Sequence, residues 1–165
     1  MTQRWKPNAT VAAIIEREGR YLLVEEQTAQ GLKLNNPAGH LEPGESPMAA
    51  CSREALEETG HEFMPHALVG IYLARERRGD AGEDVTYLRF AFRGALGRHD
   101  PGRALDAGIV RTVWLTAQEV RDSVARHRSP LVLRCVEDHL AGVSHPLTLL
   151  HVDASVTAKA ADRLG

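Results

Sequence analysis

Residues 39–60, GHLEPGESPMAACSREALEETG, decide how this chain is to be read. Gly39, Glu45, Arg53, Glu54, Glu57, Glu58 and Gly60 stand in the spacing G-x5-E-x7-R-E-x-x-E-E-x-G. Ser46-Pro47 starts a helix, because a serine N-cap accepts from an orphan backbone N–H and a proline at the first helical position has a preset φ and no N–H to leave unmet. Gly60 is a natural stop after the last turn. Glu54, Glu57 and Glu58 fall at i, i+3 and i+4, so three carboxylates project from one face. Met48, Ser52, Ala55 and Thr59 make another face, small and mostly apolar, suited to packing on a sheet.

Clustered carboxylates repel and raise one another's affinity for protons. Such like-charged pairs cost an isolated helix about 0.2–0.5 kcal/mol each. A hard divalent cation reverses the sign, since Mg²⁺ takes oxygen ligands and bridges one or two carboxylates to substrate phosphates. Arg53 can brace the glutamates or pair with Glu45, and the loop from Gly39 to Gly44 lets backbone approach the same place. A run such as EALEE is, alone, an ordinary solvated helix face. The full pattern is different: seven fixed positions at roughly 7% each match by chance on the order of 10⁻⁸ times per start position.

These residues match the Nudix box, G-x5-E-x7-R-E-U-x-E-E-x-G-U with U a bulky apolar residue, and the chain resembles the Nudix hydrolases. Ala55 is a small occupant of the first U position, and His61 departs from the last, which affects packing under the helix end rather than the carboxylates. The flanking runs KPNATVAAIIEREGRYLLVEE, NNPAGHLEPGE, TYLRFAF and RSPLVLRCVEDHLAG, in that order, are similar to one bacterial branch of the family, and the likeness covers about Trp5 to Val152. The resemblance implies an α/β fold, an α/β/α sandwich with a mixed sheet and a catalytic loop-helix. It implies a Mg²⁺ or Mn²⁺ cofactor held by Glu54, Glu57, Glu58 and the Gly39 carbonyl, with Arg53 and Glu45 in the catalytic set. The branch implies a phosphatase of nucleoside di- and triphosphates and of small pyrophosphate esters, among them that of the thiamine pyrimidine precursor. A pyrophosphatase of oxidised nucleotides, nucleotide sugars or dinucleoside polyphosphates is the alternative within the class. A non-catalytic nucleotide-binding module is the alternative outside it; such a module is expected to lose a box glutamate, and this chain keeps all four.

At 165 residues the chain suits one domain, expected over residues 1–153, with a loose tail at 154–165. Its 43% hydrophobic and 25% charged residues are ordinary for a globular protein. A formal net charge of −2 argues against wholesale nucleic-acid binding, whereas a free nucleotide or pyrophosphate substrate needs only a local basic site. An 18-residue apolar run is missing, and the start MTQRWKPNAT lacks the core of a signal peptide, so no membrane partner is expected. Cys51 and Cys135 are lone thiols without a CxxC, which fits a reducing cytoplasm. Monomer and homodimer both remain open.

Residues 10–15 and 20–25 are β-rich runs around Glu18-Gly19, expected as a hairpin. Residues 68–75, 86–92 and 110–115 read as further strands, with polar loops at 76–84 and 97–108. Thr116 opens T-A-Q-E, a capping box for a helix over 117–126, and Ser129-Pro130 opens a last helix over 130–141. For the group that takes a proton from the attacking water, Glu54, Glu83 and Asp106 are the candidates. Arg89, Lys33 and Arg75 are candidates for substrate contact; Arg89 leads because alternation with Leu88 and Phe90 on a strand fixes its direction. Trp114 reads as core, and His40 as a spacer in the box loop.

Overall fold

The computed structural model describes residues 4–77 and 84–158. In chain order the strands are β1 (Asn8–Ile14), β2 (Glu16–Arg17), β3 (Arg20–Thr28), β4 (Gly31–Asn35) and β5 (Ala38–His40). Helix α1 (Pro47–Thr59) follows, then β6 (His61–Arg77), β7 (Asp84–His99) and β8 (Ile109–Thr116). The chain closes with α2 (Ala117–Asp122), a 3₁₀ turn (Val124–Arg126), α3 (Leu131–Leu140), β9 (His145–Pro146), a second 3₁₀ turn (Leu147–Leu149) and the single turn α4 (Ala154–Thr157).

One sheet has the order β5-β1-β7-β6-β9; it is mixed, because β1 runs parallel to β7 while the other neighbours are antiparallel. The second sheet is built on β3, which carries β2 and β4 on one side and β8 on the other. The expected hairpin therefore needs correction. The turn at Glu18-Gly19, with φ of 53° and 76°, joins the two-residue β2 to β3, whereas β1 leaves that ribbon and lies between β5 and β7. The reason is burial: Val11, Ala12, Ala13 and Ile14 are all within 1% of full burial, and an apolar run without alternation needs cover on both faces.

Helices supply that cover. Val11 and Ala13 pack with Leu22, Phe92 and the Ala50, Cys51 and Ala55 face of α1. Ala12 and Ile14 point the other way, to Leu23, Val120 of α2 and Val132, Cys135 and Val136 of α3. The result is the expected α/β/α arrangement. Trp114 joins the α1 side only partly buried, with the Arg17 guanidinium 4.5 Å from its ring centroid.

Strand lengths also differ from expectation. β6 and β7 pair out to Arg77 opposite Asp84 and back to His61 opposite His99, so the two polar loops are shorter than their composition suggests. The outer parts of these strands are exposed and held by polar pairs, such as Arg75 Nε donating to Asp84 Oδ1 at 2.6 Å, which a reading for buried alternation passes over. The helix expected over 117–126 is broken at Ser123 into α2 and the 3₁₀ turn. Asp153 caps α4, whose residues are exposed.

Candidate active site

The site is assembled where α1 meets β5. Ser46 caps α1 by accepting from Ala49 N–H at 3.1 Å, Pro47 sits in the first turn, and Gly60 takes φ 70° at the C-cap. Glu54 and Glu58 lie on a buried flank of the helix, with Glu57 beside them, half-buried. Gly39, on β5 opposite Val11, faces Glu54 so closely that a Cβ there would fall well inside the space of its carboxylate. Glycine is required here for close approach and not for its backbone angle, since Gly39 is not among the positive-φ glycines.

Arg53 ties the carboxylates together. Its Nε and Nη2 donate to Glu45 Oε2 and Oε1 at 3.0 and 2.8 Å, and Nη2 also donates to the His40 carbonyl at 3.0 Å. Nη1 donates to Glu54 Oε1 at 2.7 Å and to Glu57 Oε2 at 3.0 Å. The guanidinium thus both braces the helix glutamates and holds the loop acid, a planar fork that lysine cannot reproduce. Its bond to Glu45, against the drag of partial burial, raises the already high pKa of Arg53 and holds the Glu45 carboxyl below its usual range.

The loop after β7 completes the group. Asp100 N–H donates to the Gly60 carbonyl at 2.8 Å and Asp106 N–H to the Glu57 carbonyl at 3.0 Å, which pins residues 100–106 to the end of α1. Carboxylate oxygens of Glu54, Glu57 and Asp106 consequently lie within 4.8 Å of one another. Burial raises the Glu54 pKa against the opposing pull of Arg53. Burial also pushes Glu58 up to about 8, opposed by the Ala38 N–H that donates to its Oε2 at 2.8 Å. Three oxygen donors in one small volume, with a glycine leaving room beside them, fit a hard divalent cation. Glu58, turned toward β5, stands outside that set of three.

Across β5 lies a cleft of about 460 Å³ whose wall includes Ala38, Gly39 and His40, so one strand separates it from the carboxylates. Arg89 is buried in this cleft, its Nη2 and Nη1 each 3.4 Å from the side-chain oxygens of Asn35 and Asn36. Arg75 sits at the cleft with its guanidinium on Asp84, and Lys33 turns away to donate to the Ala125 carbonyl at 3.3 Å. Glu83 lies outside the described residues. Thr10, Glu26 and Arg128 also line the cleft, and the sequence reading passed over all three; the only local signal was a pair of acids, Glu25-Glu26, ending an apolar strand.

The NUDIX domain family model matches residues 5–135, and the chain belongs to that family: it is a Nudix hydrolase, an enzyme that hydrolyses phosphoanhydrides. It is 35% identical over 147 residues to "Phosphatase NudJ" of Escherichia coli strain K12, an alignment covering 88% of this chain and 92% of that protein. Among solved structures it resembles a NUDIX hydrolase from Nitrosomonas europaea at 53% identity and a TM-score of 0.82, covering 90% of this chain and 98% of the other. A MutT NUDIX hydrolase from Burkholderia pseudomallei shares the fold at 18% identity and a TM-score of 0.62, covering 81% and 98% of the two chains.

Proposed function

We propose that this hydrolase removes orthophosphate from nucleoside di- and triphosphates and from small pyrophosphate esters, the thiamine pyrimidine precursor's pyrophosphate among them, and that it depends on Mg²⁺ or Mn²⁺. The observation that carries the reading is the convergence of Glu54, Glu57 and Asp106 beside a cleft that Arg75, Arg89 and Arg128 help to line, with β5 between. Similarity over most of the chain to a protein named as a phosphatase supports the orthophosphate product.

Glu54, Glu57 and Asp106 would hold the cation by geometry, and Glu58 with the Gly39 carbonyl by family likeness. A divalent cation held there would supply positive charge to offset the negative charge that develops as a phosphoanhydride is cleaved. Arg53 keeps the glutamates in register and offsets part of their repulsion. The attacking water must give up a proton to a carboxylate, and Glu54, in the cluster with Asp106, is one candidate to take it. Asp106, which the loop brings to the same place, is the second candidate.

Glu57→Gln keeps the shape of the side chain and removes one charge from the cluster. Phosphate release at saturating Mg²⁺ should fall on the order of a hundredfold or more, the scale on which loss of one charge-stabilising group is felt in an active site. Circular dichroism should show the variant folded, and near-normal turnover would sink the role given to Glu57. Product analysis separates the alternative, since pyrophosphate plus a nucleoside monophosphate would make the enzyme a pyrophosphatase.

A further inference from the structure

We propose that His61, stacked beneath His99, positions the loop that carries Asp106, and that the loop is held against α1 only while this buried imidazole is uncharged. The inference rests on the phosphohydrolase reading above for what Asp106 does, and it makes that site responsive to mild acid.

His61 stands where the box pattern has a bulky apolar residue. It is 5% exposed, at the point where α1 ends and β6 begins. Its backbone N–H donates to Thr59 Oγ1 at 3.1 Å, and its ring Nδ1 lies 3.2 Å from the Thr59 carbonyl. A carbonyl only accepts, so the neutral ring carries its proton on Nδ1. On the partner strand His99 pairs with His61 in register, and the two rings stack with centroids 4.1 Å apart and planes 14° apart. His99 is exposed, so its ring is the cover that separates His61 from water on that side.

The loop starts at the next residue. Asp100 N–H donates to the Gly60 carbonyl at 2.8 Å, and a Cβ on Gly60 would come within 2.9 Å of the Asp100 carbonyl oxygen. Asp100 Oδ1 accepts from Gly102 N–H at 3.1 Å, and Asp106 N–H reaches the Glu57 carbonyl at 3.0 Å. Between β7 and Asp106 the chain is therefore tied to α1 at both ends, and the end nearer β7 begins on the stacked pair. Lifting His99 to hydrate His61 pulls directly on the Asp100 to Gly60 bond.

Nothing around His61 is arranged to accept a positive charge on it apart from the Thr59 carbonyl of α1. The charged groups that bear on it are His99 of β7 and Arg17 of β2, with no carboxylate among them. Trp114 of β8 meets its ring edge to face at 6.2 Å, and the Arg17 guanidinium lies over that same indole. The nearby acids are turned elsewhere, Glu62 to Arg98 at 3.2 Å and Asp100 to its own turn. Burial first, then His99 and Arg17, hold the His61 pKa below its ordinary value of 6.5, against the Thr59 carbonyl. The sign follows from linkage. With the loop open and the ring in water, His61 binds a proton near pH 6.5; with the loop closed it does so only at lower pH. The closed state thus loses ground to the open one as pH falls from about 6.5 toward the lowered value.

The test follows hydrogen exchange at the Asp100 and Asp106 amides in the metal-free protein at about pH 7.5 and about pH 5.5, each rate taken relative to its intrinsic rate at that pH. The variant His61→Leu puts an apolar side chain at this box position and keeps every other titratable group, including Glu58 with its pKa of about 8. Protection should fall on acidification by about threefold or more in the wild type beyond any fall in His61→Leu. An equal fall in the two proteins, or none in the wild type, overturns the proposal. A merely structural role for His61 would lower protection in the variant by the same factor at both pH values, and that outcome overturns it as well. Should His61→Leu fail to fold, His61→Phe keeps a flat ring under His99 without a titrating nitrogen and carries the same expectation. At saturating Mg²⁺, kcat for phosphate release should drop over this range about threefold more steeply in the wild type than in the variant, and equal slopes count against the coupling to Asp106. Absence of phosphate release from any nucleotide refutes the phosphatase reading, and the exchange comparison still decides this one.

Discussion

At the scale of single residues, Gly39 and Glu54 show what the box spacing is for. The glycine has an ordinary φ and pairs with Val11 in a regular ladder, so an alanine would be tolerated by the backbone. It would not be tolerated by the Glu54 carboxylate, which occupies the space of the missing Cβ. Gly39→Ala is therefore expected to displace the Glu54 carboxylate and to lower kcat at least tenfold, with little loss of stability, since only the end of a flexible side chain must move. Phosphate release and thermal melts measured on the same sample check both parts. A variant with full kcat would show that this close approach is incidental. Arg53 allows a similar argument: Arg53→Lys keeps the charge but loses the paired contacts to Glu45, so kcat should fall while the net charge of the cluster is unchanged.

At the scale of elements, Glu25 and Glu26 are sequence neighbours with opposite fates, since successive strand residues face opposite sides. Glu25 is buried and accepts from Arg111 Nε of β8 at 2.6 Å and from Arg126 of the 3₁₀ turn, joining three elements at the end of β3. The Arg111 bond, with Arg126 adding to it and burial opposing, holds the Glu25 pKa below its ordinary value near 4.5. A lowered folded-state pKa gives stability that is present above about 4.5 and is lost as pH falls through the folded value. Glu25→Gln should thus cost about 1 kcal/mol near pH 7, a modest figure because both arginines are largely open to water. The gap from wild type should close as the pH falls below about 4.5 and on through the lowered folded-state value; a gap independent of pH in urea titrations would count against the clamp. Elements set by local chemistry were legible in the sequence. The Ser46 cap of α1 is one, and the Thr116 and Glu119 capping box of α2 is another. The placement of β1 was not, because an apolar run says that both faces are covered without saying by which neighbour. The site divides in the same way. Spacing on one helix revealed the box glutamates, whereas Asp106 arrives through backbone hydrogen bonds between distant segments, and the cleft gathers Thr10, Glu26 and Arg89 from three strands.

At the scale of the whole molecule, the proposed cation site has a consequence for global stability. Glu54 and Glu57 belong to α1, which packs on the β5-to-β9 sheet, while Asp106 belongs to the segment leading into β8 of the other sheet. A cation shared by these groups would join the two sheets through a loop otherwise pinned to the end of α1 mainly by backbone bonds such as Asp100 to Gly60 and Asp106 to Glu57. It would bind the folded chain alone, since only folding brings the three carboxylates within reach. By mass action, a free concentration a hundred times Kd adds about 2.7 kcal/mol to stability. For a domain of this size each kcal/mol is worth about 2–4 °C, so Tm should rise by roughly 5–10 °C in saturating Mg²⁺. The rise should be reversed by EDTA and be small in Glu57→Gln and in Asp106→Asn. A Tm that does not move as Mg²⁺ is raised would sink the cation site without bearing on the fold. A rise that persists in Asp106→Asn but vanishes in Glu57→Gln would confine the site to α1, leaving Asp106 free to act on the attacking water.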